Sequence, residues 1–82
     1  MNEDLASIHF CDPYSVLLIG SSGRITRLYC PFYVQCVDLV NGIAFKSVVI
    51  VEEVRMTEDD RLVYIIARRA YYHTNFHIQA GW

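Results

Sequence analysis

Apolar residues recur along this chain in short runs, not at helical spacing. The runs are rich in Val, Ile, Leu, Tyr and Phe and are divided by turn chemistry, which predicts strands joined by hairpins. The first run is Tyr14 to Ile19, after Asp12-Pro13. Gly20-Ser21-Ser22-Gly23 follows as a hairpin loop, with a glycine at each end to supply positive φ, and the chain returns through Arg24 to Cys30. Pro31 cannot donate to a ladder, so it marks a strand start or an edge. The third run, Phe32 to Val40, ends at Asn41-Gly42. Both residues tolerate positive φ, so this pair predicts a type I′ hairpin into the fourth run, Ile43 to Met56.

Within that fourth run Val48 to Val51 is apolar on both parities, which suits a central strand covered on both faces. The sharper alternative is an edge strand that pairs with a second subunit. The apolar phase breaks at Glu52-Glu53, so a bulge or strong bend is expected there. Thr57-Glu58-Asp59-Asp60 reads as a polar turn, and Arg61 to Ala67 as the fifth run. Arg68-Arg69 falls where a tight turn should be. Two arginines at positive φ would be strained, which predicts a longer loop or a bulge. Ala70 to Tyr72 begins a short strand, His73-Thr74-Asn75 reads as one 3₁₀ turn, and Phe76 to Ile78 is the last strand. Residues 1–13 read as irregular or as a short helix, the best helical stretch being 2–10.

The order over residues 32–78 resembles an SH3-like small β-barrel. The resemblance rests on Asn41-Gly42, the Val48–Val54 run, Thr57–Asp60, Leu62–Ile66 and the single turn before the last strand at His73–Ile78. It is a resemblance of fold and names no family. The aromatic run and paired tryptophan by which signalling SH3 domains hold proline-rich peptides are absent, and the one tryptophan is Trp82, so no proline-rich ligand is implied. The expected architecture is therefore mainly β: a small antiparallel SH3-like barrel, or an open meander of five or six strands, with an additional N-terminal hairpin at 14–30.

Composition sharpens this in three ways. At 82 residues the chain is one domain, and a chain of that size buries only about 60% of its unfolded surface. Because 54% of the residues are apolar, some of them are expected on the surface, pointing to an unidentified protein partner or self-association. The net charge of −2 argues against a dedicated duplex binder. Three cysteines without framework spacing, an acidic start and no long apolar stretch together read as a cytoplasmic protein with reduced thiols and no membrane span.

The stretch from Arg68 to His77 is the candidate binding surface. Arg68, Arg69, Tyr71, Tyr72, His73 and Phe76 combine cations with aromatics, as single-strand-binding barrels do when bases stack beside a basic groove. The plainer reading puts Tyr71 and Phe76 in the core and pairs the arginines with the Glu58–Asp60 turn. No metal or cofactor is expected. His73 and His77 are four apart, a zinc spacing on a helix but not across a turn and a strand, and Cys11, Cys30 and Cys36 form no CxxC pair. Cys30 and Cys36 would stand roughly 20 Å apart in one extended segment, too far to bond. No catalytic residue is expected either. His9, Cys11 and Asp12 are adjacent, but neighbouring strand residues point to opposite faces.

Overall fold

The computed structural model describes residues 5–79; the start of the 2–10 stretch and Trp82 lie outside them. Among the described residues nine strands form three antiparallel three-stranded sheets, and these sheets do not close into a barrel. The first sheet is a meander of β1 (Leu5–Asp12), β2 (Ser15–Gly20) and β3 (Ile25–Tyr29). The second has β4 (Phe32–Cys36) between β5 (Val48–Val51) and β9 (Phe76–Ile78). The third is the meander β6 (Glu53–Met56), β7 (Leu62–Ile66) and β8 (Arg69–Tyr72). A 3₁₀ turn, η1 (His73–Asn75), leads from β8 into β9.

The expected helix at 2–10 is not formed: from Leu5 onward that segment is β1 and pairs with β2, Ile8 facing Leu18 and Phe10 facing Val16. Propensity over so few residues is weak, and the exposed edge of an apolar strand outweighs it. The 14–30 hairpin is present as β2 and β3, but it is two-thirds of a sheet.

One core collects the inward residues of every sheet. Val16 and Leu18 come from β2, Phe32, Val34 and Cys36 from β4, Val51 and Val54 from β5 and β6, Leu62, Tyr64 and Ile66 from β7, and Phe76 and Ile78 from β9. In β4 the period-two alternation is clean: Phe32, Val34 and Cys36 are buried, whereas Tyr33 is exposed and Gln35 half-buried. Tyr64 lies at the centre, fully buried, with Phe32 edge-on at 5.5 Å and Phe76 tilted at 6.0 Å. Its hydroxyl has no hydrogen-bond partner among the described residues.

The break at Glu52 is the bend expected there. Its N–H donates to the Ile65 carbonyl of β7 at 2.9 Å, so the chain leaves the β4 ladder after Val51 and enters the β7 ladder at Glu53. The Val54 N–H then donates to the Pro13 carbonyl at 2.8 Å, which ties the outer edge of β6 to the β1–β2 turn.

Four expectations need correction. Asn41-Gly42 does not join two long strands. It closes only an isolated bridge, Val40 to Ile43, inside a loop from 37 to 47. Only Gly42 has positive φ, +88°, which excludes type I′. Pairing of β4 with β5 stops at Cys36, whose carbonyl accepts from the Lys46 N–H at 2.8 Å, with Lys46 in the left-handed region (φ 69°). Gly42 is also needed for space, since a Cβ there would lie 3.1 Å from Arg69 Nη1 and 3.3 Å from Tyr71 Oη. At the first hairpin only Gly23, not Gly20, has positive φ. Val48–Val51 is not a central strand but an edge strand, the sharper of the two alternatives: Val48 and Ile50 are exposed. Finally, Arg68-Arg69 is not bypassed by a longer loop. The turn sits one residue earlier, on Ala67 (φ 50°) and Arg68 (φ 67°), between the paired residues Ile66 and Arg69. The tight register of β7 and β8 overrides the local preference of both residues.

Two outcomes follow. Ala67→Asn with Arg68→Gly relieves two left-handed non-glycine residues, each costing roughly 1–2 kcal/mol, and thermal unfolding should move up by about 4–8 °C for each kcal/mol recovered. Tyr64→Phe removes an orphaned hydroxyl and should hold or raise stability, whereas Tyr64→Ala should cost about 3–5 kcal/mol in urea unfolding.

Candidate functional site

The six residues of the Arg68–Phe76 stretch are not brought together. Strand β8 alternates, so Tyr71 turns inward beside Tyr64 and stacks edge-on against buried Phe76 at 5.9 Å. Arg69 turns the same way and lies against the Asn41-Gly42 turn. Arg68 is exposed in the β7–β8 turn. Tyr72 and His73 face elsewhere, into a cleft between β1 and the β6–β7 turn. Among the described residues neither Arg68 nor Arg69 forms an ion pair with the Glu58–Asp60 turn.

That cleft has a volume of about 330 Å³. Ile8, Phe10, Met56 and Leu62 supply its apolar walls, and His9, Arg61, Tyr72 and His73 its polar ones. The Arg61 guanidinium is centred 3.9 Å over the Tyr72 ring. Such stacking contributes about 0.5–1 kcal/mol at an exposed site. His73 Nδ1 donates to the Leu62 carbonyl at 3.2 Å, because a carbonyl can only accept. His9 Nε2 is 3.0 Å from Ser7 Oγ. His77 is on β9 opposite Gln35, so the two histidines of the spaced pair part company. Among the described residues no group of three or more His, Cys, Asp or Glu side chains can hold a metal ion.

A second polar cluster sits on the first sheet. The Tyr14 N–H donates to Asp12 Oδ1 at 2.8 Å, and with Ser15 and Arg27 it holds the Asp12 carboxyl below the usual carboxylate range. Arg27 donates to Asp12 Oδ2 at 2.6 Å and to buried Ser15 Oγ at 3.1 Å, and lies 5.1 Å from the Tyr29 ring centroid. His9 is engaged with Ser7, and Asp12 with Tyr14 and Arg27, so these two side chains take different partners. Cys36 is buried and its thiol donates to the Asp38 carbonyl. Burial, then the charges of Asp12 and Glu53, push the half-buried Cys30 thiol from 9.0 to about 11.

The surface that sequence reasoning missed is the outer face of the β5-β4-β9 sheet. Tyr33 is 59% exposed beside its register partner Ile50 at 36%, and Val48 is 53% exposed. The loop joining β4 to β5 adds exposed Val37, Leu39 and Phe45. One signal was present: Tyr33 and Gln35 alternate with Phe32, Val34 and Cys36. In Val48–Val51 nothing marks the outer parity, since both parities are apolar. Arg61 and His9 were also missed, because they join the cleft only through the packing of β1 on β6.

Compared with protein-family models, curated proteins and solved structures, the chain matches nothing in any of the three. No helix among the described residues is long and apolar enough to cross a membrane.

The Cys30 shift has a direct readout. At pH 8 its thiolate fraction should be about 100-fold below that of an ordinary thiol, so iodoacetamide should label it far more slowly in the folded chain than in urea. The folded thiol holds its proton longer than the unfolded one. Stability should therefore fall as pH rises from 9.0 towards about 11, and Cys30→Ser should flatten that decline.

Proposed function

We propose that this chain is a small non-catalytic interaction module that works by protein–protein contact on the outer face of the β5-β4-β9 sheet. The observation that carries the reading is the exposed apolar surface of Tyr33, Val48 and Ile50, flanked by a loop that also exposes Val37, Leu39 and Phe45. A domain of this size has few buried positions, and large exposed apolar patches on small domains mark contact sites. Aromatic and branched side chains held on a paired strand lose little entropy on binding, which favours this face over the loops. The chain order of residues 32–78 supports an SH3-like relationship as part of the same proposal: a bent strand shared between β4 and β7, then a hairpin, one 3₁₀ turn and a strand returning to β4. Three free thiols fit a reducing compartment such as the cytoplasm.

Single-stranded nucleic acid has less in its favour. Tyr71 and Phe76 are committed to the core contacts, which leaves Tyr72 alone, already stacked by Arg61, to receive a base.

The test compares the tagged full chain with a Tyr33→Ser, Val48→Lys double variant whose unfolding midpoint matches the wild type. Proteins captured from the native host by the wild type should fall at least about tenfold with the variant, as expected when an interface loses its central anchors. Equal capture by both chains overturns the reading. Fluorescence anisotropy with single-stranded oligonucleotides at ~50 mM salt should show no binding. Binding there that Arg68→Ala and Arg69→Ala abolish would replace the protein partner with nucleic acid.

A further inference from the structure

Strand β5 is the outermost strand of its sheet, and the ladder settles which of its backbone groups are unpaired. On β4 the Val37 N–H donates to Asn75 and the Tyr33 carbonyl accepts from Gln79, so the odd residues face β9. The Cys36 N–H donates to the Ser47 carbonyl, so the even residues face β5. In the register Val34 to Val49 and Phe32 to Val51, the odd residues of β5 answer them. Alternation in an antiparallel pair then turns the N–H and C=O of Val48 and Ile50 out of the edge.

This edge lacks the devices that guard one. Val48–Val51 contains no proline, no charge and no bulge, and its outer side chains are exposed. Charge stands at its two ends only: exposed Lys46 before it and exposed Glu52 after it, neither in an ion pair among the described residues.

We propose that the occupant of this edge is a second copy of the same chain, paired antiparallel about a two-fold axis through Val49. The inference rests on the interaction-module reading and names its partner. A two-fold axis perpendicular to the sheet keeps inner faces inner, so only residues of equal parity can stand opposite each other. Three such registers are close by. An axis at Ile50 sets Glu52 against Val48 and calls on the Glu52 N–H, already given to Ile65. An axis at Val48 sets Lys46 against Ile50. The axis at Val49 sets Val48 against Ile50 of the second copy in both directions, which engages all four outward groups of each strand. It also brings Lys46, in the left-handed turn just before the strand (φ 69°), to the end at which Glu52 of the second copy leaves its own strand, twice. Strand, charge and apolar face are complementary to themselves in this register alone. The product is a continuous six-stranded sheet, β9-β4-β5 joined to its two-fold image, with both copies of Tyr33 and Ile50 on one face.

Sedimentation of the full chain across the micromolar range tests this. A reversible dimer is expected, and the Val48 and Ile50 amides should gain hydrogen-exchange protection as concentration rises. Ile50→Lys, at an exposed position, should weaken the dimer at least tenfold, with an unfolding midpoint unchanged at concentrations where both chains are monomeric. Ile50→Pro removes an outward N–H but no bond to β4 and should do the same; if it unfolds the chain, Ile50→Lys decides. Lys46→Glu should weaken the dimer and Lys46→Glu with Glu52→Lys should restore it. A strict monomer, a dimer indifferent to Ile50→Lys, or a double reversal that fails to restore each overturns the self-pairing. A strict monomer whose captured partners still depend on Tyr33 and Val48 overturns self-pairing alone and keeps the interaction module, with a foreign strand on the edge. Equal capture by the Tyr33 variant removes the module itself.

Discussion

The structure of residues 32–78 depends on one long-range pairing, the return of β9 to β4. Val34 faces Ile78 and Cys36 faces Phe76, forty or more positions apart in each case. Closing so long a loop costs entropy that only burial can offset. The offset is visible in what the pairing delivers: Phe76 arrives against both Tyr64 and Tyr71, and Ile78 joins the same cluster. Because β4 also carries β5 on its other edge, its even residues bond one way and its odd residues the other. Its pairing with β5 runs out at Cys36, and the loop that follows packs Val40 and Ile43 against the core.

The same geometry leaves an opposite consequence at the sheet's far side. A strand flanked on one edge only, short and apolar on both parities, cannot bury its outer residues within 82 positions. Its neighbour Tyr33 is exposed for the same reason. The charged residues that usually guard such an edge stand outside it, at Lys46 and Glu52. The first sheet shares part of this exposure. On its edge strand β3, Ile25 and Tyr29 are exposed at 64% and 62%, but there Arg27 stands between them, lies over the Tyr29 ring and pairs with Asp12.

The chemistry-bearing residues divide along these lines. The cations and aromatics from Arg68 to Phe76 look like one patch as a string. Strand alternation and the 3₁₀ turn scatter them to the core, the Gly42 turn and the cleft. In the cleft the two histidines are each held by a neighbour, His73 on the Leu62 carbonyl and His9 near Ser7, and Arg61 is spent on Tyr72.

Local chemistry determined the elements wherever it acted without competition. The bend at Glu52-Glu53, the polar turn at Thr57–Asp60, the proline at the start of β4 and the single turn at His73–Asn75 all follow from side chains interrupting an apolar phase or from backbone preference. So does the class, a small antiparallel β domain. Tertiary structure decided the rest. Asn41-Gly42 closes only a short bridge because β4 and β5 part at Cys36, where Lys46 turns left-handed. Ala67 and Arg68 accept left-handed backbone because the register of β7 with β8 requires it. Residues 5–12 became a strand because β2 offers an edge. Whether Val48–Val51 lies inside or outside is invisible in a run with no polar face, since periodicity needs contrast to report direction. Only the neighbours of a strand settle its exposure, and those neighbours are distant in the chain.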